Sequence, residues 1–283
     1  MTSTAPSPFQ PFFLERPLGQ RFCIRHAPQG RPRGRVLFIH ALAEEMNKSR
    51  RMAALQSRAL AAAGFAVLQI DLLGCGDSSG DFGDASWSAW LDDLQAASAW
   101  LRAHGPAATP LWLWGHRHGC LLASELLARL DEPAGLLFWQ PPAAGKNLLQ
   151  QFLRLKLAGQ MAEGAGGSGA MGELKQALGA GETVDIAGYR LAPALAVGLE
   201  AAQLTPPATP MPALWFEVSP QAEAALPVTA AAAERWRAAG SAPTLSLVQG
   251  PAFWQTTEIE DAPALIEATT AALLSQVQDP VPA

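Results

Sequence analysis

Histidine and cysteine are scarce in this chain of 283 residues, and their positions argue against several kinds of site. There are five histidines, and none follows His118, so more than half of the chain supplies no imidazole. The three cysteines (Cys23, Cys75 and Cys120) are odd in number and form no Cys-x-x-Cys pair. This argues against both a disulfide framework and a zinc site.

Positive charge and long apolar runs are also lacking. Twenty Lys and Arg stand against 25 Asp and Glu, for a net charge of −5, so we expect no nucleic acid partner. No run approaches the roughly 18 apolar residues that a membrane span needs. The stretch from Met1 to Pro11 lacks the basic and apolar regions of a signal peptide. We therefore expect a cytoplasmic protein.

The composition is otherwise that of a globular domain with a large core, 49% hydrophobic and 16% charged. Short apolar runs predict strands over residues 22–25, 36–39, 65–70, 111–114, 135–139, 213–218 and 244–248. Amphipathic stretches predict helices over residues 48–63, 87–102, 120–130, 148–161, 173–178, 191–204, 229–239 and 263–276. Strands that alternate with helices predict a mostly parallel sheet covered by helices on both faces.

The alternation breaks between residues 141 and 212, where no strong strand pattern is found and Gly164 to Gly172 is predicted as a linker. We therefore predict an α/β core formed by residues 1–140 and 213–283. The stretch 141–212 is predicted as a helical lid inserted into that core.

One pentapeptide is unusual: Gly115-His116-Arg117-His118-Gly119. It follows a predicted strand and opens a predicted helix, which is the setting of the Gly-x-Ser-x-Gly nucleophile elbow. The central position here is Arg117. Because arginine stays protonated in proteins, it cannot attack a carbonyl carbon.

Two further landmarks accompany this elbow. The segment Asp71-Leu-Leu-Gly-Cys-Gly-Asp-Ser-Ser-Gly80 resembles the Asp-x-x-Gly-x-Gly-x-Ser turn that is common in α/β-hydrolases, and the run 35–40 lies upstream of it. The three landmarks occur in the order and spacing of that superfamily. The resemblance implies the α/β-hydrolase fold.

A narrower resemblance rests on three segments: residues 43–51 (Ala-Glu-Glu-Met-Asn-Lys-Ser-Arg-Arg), 71–82 and 250–255 (Gly-Pro-Ala-Phe-Trp-Gln). They resemble the exosortase A system-associated hydrolase, the second of two such types. The resemblance implies a bacterial, cytoplasmic hydrolase linked to protein sorting and exopolysaccharide functions. It implies no particular substrate.

The chain departs from the general hydrolase pattern at all three catalytic positions. The nucleophile position holds Arg117, and the loop 250–255, where the catalytic histidine is expected, contains none. Glu217 and Glu223 are only loose candidates for the acid. A Ser-His-Asp triad in its usual chain order is therefore excluded by the sequence.

Ligands of parallel α/β sheets bind beyond the carboxyl ends of the strands. The substrate-binding residues expected there are His40, Ala41, Leu42, Cys75, His116, His118, Gln140 and Trp254. The backbone N–H of His118, together with that of Ala41 or Leu42, would form an oxyanion hole. We expect Arg117 to attract an anionic group such as a carboxylate or phosphate, or alternatively to pair with Glu44, Glu45 or Asp71.

Other residues admit two interpretations each. Glu44 and Glu45 are candidate general bases, or they favour the start of a helix whose N-cap is Asn47. Cys75 is a substitute nucleophile by residue type, with His40, His116 or His118 as its base, or it is a small residue in a tight loop. The sharp elbow would splay His116 from His118, so we expect no metal, and we expect no cofactor.

Two functions remain open at this point. The first is a divergent hydrolase of ester or thioester-type acyl bonds, with Arg117, Glu45 and Glu44 as its catalytic residues. The second is a non-catalytic pseudohydrolase that binds an anionic ligand or a partner protein.

Overall fold

The computed structural model describes residues 9–162 and 169–277. Its strands are β1 (Phe9–Arg16), β2 (Gly19–His26), β3 (Gly34–Ile39), β4 (Phe65–Ile70), β5 (Leu111–His116), β6 (Ala134–Trp139), β7 (Val184–Ile186), β8 (Tyr189–Leu191), β9 (Ala213–Ser219) and β10 (Thr244–Gln249). Its α-helices are α1 (Glu44–Ala62), α2 (Trp87–His104), α3 (His118–Leu126), α4 (Gly145–Ala162), α5 (Ala170–Gly179), α6 (Pro193–Ala201), α7 (Pro227–Ala238) and α8 (Pro263–Gln276).

Eight strands form one sheet in the order β1-β2-β4-β3-β5-β6-β9-β10. The six strands from β4 to β10 in this order run parallel, while β2 pairs antiparallel with both β1 and β4. The carboxyl ends of the parallel strands therefore meet at one edge of the sheet. The predicted mostly parallel α/β sheet is confirmed.

Side chains that alternate along the central strands divide the core into two layers. Leu37 and Ile39 of β3 pack in the layer that also contains buried residues of α2, α3 and α7. Val36 and Phe38 pack in the other layer, with buried residues of α1 and α8. Strands covered on both faces read as continuous apolar runs, which is why the sequence showed them clearly.

The stretch 141–212 lies between β6 and β9 and contains α4, α5, the β7–β8 hairpin and α6. The sequence shows no strong strand pattern here, and the two strands of the hairpin have only three residues each. Residues 164–168 of the predicted linker lie outside the described residues. The prediction is wrong for 170–172, which belong to α5.

Helix α1 begins at Glu44, four residues earlier than predicted, because the chain bends sharply at Ala43 (φ 47°, ψ −120°). Asn47 therefore lies inside the helix, and the interpretation of Asn47 as the N-cap is wrong. Among the described residues, no helix combines the length and the hydropathy needed to cross a bilayer.

The elbow glycines are required by close packing. A Cβ atom at Gly119 would press on the backbone carbonyl oxygens of Ile39 and His40, and one at Gly115 would lie 2.6 Å from the backbone nitrogen of Cys120. Helix α3 therefore crosses the end of β3 at a distance that only glycine allows.

We expect Gly119→Ala to lower the free energy of unfolding by about 1–3 kcal/mol, as overpacking against rigid backbone does. Urea denaturation of the full chain measures the effect. Gly172→Ala is the matched control, since among the described residues no atom outside its own helix and chain neighbours lies within 4 Å of a Cβ there, and alanine in α5 should stabilise by up to about 1 kcal/mol. Equal midpoints for Gly119→Ala and the unmodified chain would contradict the close packing.

Candidate functional site

Arg117 stands at the bend between β5 and α3, where a nucleophile elbow presents its reactive residue. Its backbone angles, φ 53° and ψ −119°, lie in a region that costs a non-glycine residue about 1–3 kcal/mol. The bend is held by two hydrogen bonds of 3.0 Å, from Arg117 N–H to the Trp139 carbonyl and from Cys120 N–H to the Arg117 carbonyl. The backbone of the elbow is thus formed around an arginine.

The Arg117 side chain is held by three parts of the chain. Its Nε donates to both carboxylate oxygens of Glu45, at 3.2 and 3.1 Å, and its Nη2 donates to Glu45 Oε1 at 3.0 Å. Nη2 also donates to Gln151 Oε1 of α4 at 3.1 Å, and the guanidinium carbon lies 5.7 Å from the ring centroid of Trp254. The side chains of Arg117 and Glu45 are only 10% and 21% exposed.

Of the three carboxylates expected as alternative partners of Arg117, Glu45 is the one that binds it. Asp71 instead accepts a hydrogen bond from Arg50 at 3.0 Å, and Glu44 lies 4.0 Å from Lys48.

Trp254 lies in the loop after β10, where the sequence pattern leads one to expect a catalytic histidine. It is buried, and its ring packs edge-on to His116 and to Phe253. The guanidinium at the elbow thus contacts the indole of this loop, which is a cation–π interaction.

A buried hydrogen bond joins Ser49 of α1 to His116, with 3.0 Å between Ser49 Oγ and His116 Nε2. The Ser49 hydroxyl also donates to the Glu45 carbonyl at 2.6 Å. Because a hydroxyl carries one hydrogen, it accepts from His116, whose Nε2 therefore carries the proton. Burial, followed by the Arg117 charge, lowers the pKa of His116 to about 3. The pair positions α1 against the elbow and is not arranged to activate Ser49.

The rings of His40 and His118 are neighbours, with 5.9 Å between their centroids. His40 Nδ1 donates to the Ala41 carbonyl at 2.8 Å, and its Nε2 accepts from Leu72 N–H at 3.4 Å. Within the described residues neither ring nitrogen of His118 has a hydrogen-bond partner, and the ring packs edge-on to Trp90. Burial lowers the pKa of both histidines, so all three imidazoles around Arg117 are neutral.

The remaining predicted residues have structural contacts. The Cys75 thiol is buried, and burial followed by the Asp71 charge raises its pKa, so it stays protonated. Gln140 accepts a hydrogen bond from Val218 N–H at 2.8 Å and so ties the end of β6 to β9. In the described parts of the chain, no cluster of three His, Cys, Asp or Glu residues could hold a metal ion.

A cavity of about 340 Å³ lies between α1, α4 and the loop after β10. Its apolar walls are Leu42, Leu148, Phe152, Leu155 and Trp254. Its polar walls are Glu44, Glu45, Lys48, Gln151 and Gln255. Glu45, Gln151 and Trp254 hold Arg117 and line this cavity, which therefore adjoins the guanidinium.

The cavity includes four of the predicted site residues, which are Leu42, Glu44, Glu45 and Trp254. Arg117, His40, Ala41, Cys75, His116, His118 and Gln140 are not among its lining residues. Sequence reasoning missed Gln151 and the α4 wall, because their place depends on how α4 docks. A larger groove of about 760 Å³, between the end of α3 and residues 201–211, contains none of the predicted site residues.

The buried neutral histidines predict a loss of stability in acid. The unfolded chain binds protons as the pH falls through the ordinary histidine value of 6.5, whereas His116 resists protonation down to about pH 3. Protons thus favour the unfolded state, and the free energy of unfolding should fall as the pH decreases below about 6.5.

His118→Leu should flatten this decline, because it removes one buried ring that cannot be protonated in place. Urea denaturation between pH 7 and pH 5 measures the slope. Leu126→Met, a buried change without a titrating group in the same helix, should retain the slope of the unmodified chain. An equally steep decline in His118→Leu would show that this ring does not contribute.

The Arg117–Glu45 pair should stabilise the fold measurably because it is mostly buried. A double-mutant cycle of Arg117→Ala and Glu45→Ala should give a coupling of about 0.5–3 kcal/mol in urea denaturation. The control cycle is Arg129→Ala with Asp92→Ala, whose 2.8 Å pair is 33% and 57% exposed. It should couple more weakly, by about 1 kcal/mol or less. Equal coupling in the two cycles would contradict a special role for the elbow pair.

Comparisons with known proteins agree with this geometry. Residues 30–168, a little under half of the chain, match the family model described as serine aminopeptidase, S33. No curated protein sequence matches the chain.

Similar solved structures cover nearly the whole chain. Est1E from Butyrivibrio proteoclasticus with ferulic acid bound has a TM-score of 0.65 at 15% identity, over 94% of this chain and 99% of that one. A soluble variant of monoglyceride lipase from Saccharomyces cerevisiae has a TM-score of 0.62 at 15% identity, over 99% of this chain and 98% of that one. XC6422 from Xanthomonas campestris, an α/β serine hydrolase without a lid, has a TM-score of 0.58 at 18% identity, over 99% of this chain and 100% of that one. At these identities the likeness shows the fold, and the chain is an α/β-hydrolase-fold protein.

Proposed function

We propose that this protein is a non-catalytic pseudohydrolase that binds a small anionic molecule in the cavity beside Arg117. The observation that carries the proposal is the Arg117 guanidinium, which is paired with Glu45 and lies over the Trp254 ring. Arg117 stands at the elbow, where an α/β-hydrolase would supply its nucleophile, and Trp254 lies in the loop after β10, where the histidine is expected.

The neighbouring groups support binding rather than covalent catalysis. Ser49 donates its one hydroxyl hydrogen to the Glu45 carbonyl, and the imidazole beside it carries a proton on the facing nitrogen. The Cys75 thiol is buried and protonated, whereas the thiolate is the form that attacks.

Two cationic side chains near the cavity, Arg117 and Lys48, are the proposed donors for an anionic ligand. The hydrogen bonds of the Arg117 guanidinium use Nε and Nη2, and Nη1 makes none within the described residues. Lys48 on the cavity wall is a second cation, held only loosely by Glu44 at 4.0 Å. The backbone N–H groups of His118 and of Ala41 or Leu42 are further proposed donors. Glu45 is the internal competitor that a ligand anion must displace or accommodate.

Two finer points belong to this proposal. The stretch 141–212 would act as a lid, since its helix α4 supplies the Gln151 contact to Arg117. The link to an exosortase and exopolysaccharide system, with a cytoplasmic location, rests on the sequence resemblance described above.

Hydrolysis of an ester or thioester is the second candidate function. Glu44 favours it, since its half-exposed carboxylate lines the cavity and is free of a short ion pair. Glu44 or Glu45 would then activate a water molecule, while Arg117 and the proposed oxyanion hole would stabilise the developing charge.

Glu45→Gln separates the two functions, because the binding protein should gain affinity for an anion whereas the hydrolase should lose turnover. For the binding protein, removal of the competing carboxylate should raise the affinity for an added anion, by roughly tenfold if about 1.4 kcal/mol of competition is relieved. For the hydrolase, loss of the base should reduce turnover. Isothermal titration calorimetry with hexanoate, benzoate and inorganic phosphate measures the affinity, and p-nitrophenyl butanoate measures the turnover.

Arg117→Ala should abolish the anion binding. The matched control for Glu45→Gln is Glu132→Gln, which neutralises a carboxylate that pairs with Arg35 at 2.6 Å outside the cavity and should leave the affinity unchanged. Ester turnover that disappears in Glu44→Gln, Glu45→Gln or Cys75→Ala would overturn the binding proposal and favour the enzyme.

A further inference from the structure

One wall of the cavity is a regular apolar strip on α4. Leu148, Phe152 and Leu155 follow one another at spacings of four and three residues, so they lie along one face of the helix. Leu148 and Phe152 are each 5% exposed, and Leu155 is 47% exposed. The strip therefore runs from the protein interior to the surface.

The charged groups that line the cavity belong to α1, across from this strip, whereas Gln151 lies on α4 itself. Glu44 and Lys48 belong to the first turns of α1, and Glu45 and Gln151 hold the Arg117 guanidinium. A molecule in the cavity therefore meets the charged groups of α1 at one side and the apolar strip of α4 along the other. Such a cavity fits an amphipathic molecule.

The balance of charge limits the head group. Two cations, Arg117 and Lys48, stand beside two carboxylates, Glu44 and Glu45, so these four groups carry no excess positive charge for a multiply charged anion. A head group with a single negative charge needs one donor, and the proposed donor is Arg117 Nη1, which makes no hydrogen bond within the described residues. The volume of 340 Å³ lies at the lower end of the range for ligand pockets, which favours a narrow molecule.

We infer that the ligand is a monocarboxylate with an alkyl chain, and that Leu148, Phe152 and Leu155 determine the chain length. The carboxylate binds at Arg117, and the chain lies along the apolar strip. This inference rests on the proposed anion-binding function and adds the chemical class of the ligand.

A series of unbranched carboxylates tests the inference on the full chain. Calorimetric titration with butanoate, hexanoate and octanoate should show an affinity that rises by up to roughly fourfold for each methylene that becomes fully buried. The rise should stop when the chain reaches the surface beyond Leu155.

Leu155→Ala should weaken octanoate binding and leave butanoate binding unchanged, because only the longer chain reaches this side chain. Leu226→Ala is the matched control, since Leu226 has the same 47% exposure but does not line the cavity. Both substitutions are at the surface, so loss of folding is not expected to confuse the comparison.

The failures of the two proposals are distinguishable. Binding of benzoate or phosphate that depends on Arg117, with no dependence on alkyl chain length, would overturn the monocarboxylate inference and keep the anion-binding function. Affinities that Arg117→Ala leaves unchanged, or no saturable binding of any of these anions, would overturn both.

Discussion

The ion pair between Arg117 and Glu45 is the interaction on which the rest of the site depends. It joins the elbow after β5 to the first turn of α1, and through Gln151 and Trp254 it also reaches α4 and the loop after β10. Because both side chains are mostly buried, neither charge can lose its partner without a large desolvation cost. The cavity beside the elbow is consequently bounded by groups that a single guanidinium holds in place.

This arrangement explains why a complete elbow can exist without an evident nucleophile. The glycines, the strained backbone and the crossing of α3 over β3 are all packing features, which depend on the backbone and not on the side chain at the bend. A serine hydrolase uses that side chain for covalent chemistry. Here the same position carries a permanent charge, and the surrounding histidines are neutral and buried, so the site is suited to electrostatic recognition.

Much of the core could be predicted from the sequence because its strands are short, continuous apolar runs. The predicted bounds of the strand 65–70 and the helix 263–276 agree with β4 and α8. Strand β1 was missed because it lies at the sheet edge, contains Pro11 and is half solvent-exposed, so it lacks a continuous apolar pattern. The start of α1 was misplaced because nothing in the local composition signals the bend at Ala43.

The site was less predictable because its contacts join distant parts of the chain. The sequence placed Arg117 at the elbow and offered three partners, but only the packing of α1 distinguishes Glu45 from Glu44, which is exposed. The contact with Gln151 depends on how α4 docks over the core, and no local pattern encodes it.

The backbone angles of Ala43 and Arg117 have a mechanical consequence. The two residues adopt nearly the same strained angles at the ends of the adjacent strands β3 and β5, and Glu45 lies only two residues beyond the first bend. The Arg117–Glu45 ion pair therefore joins two bends whose backbone angles are strained. Local backbone hydrogen bonds hold each bend, so the ion pair does not form the bends but adds a direct link by which a displacement of one bears on the other.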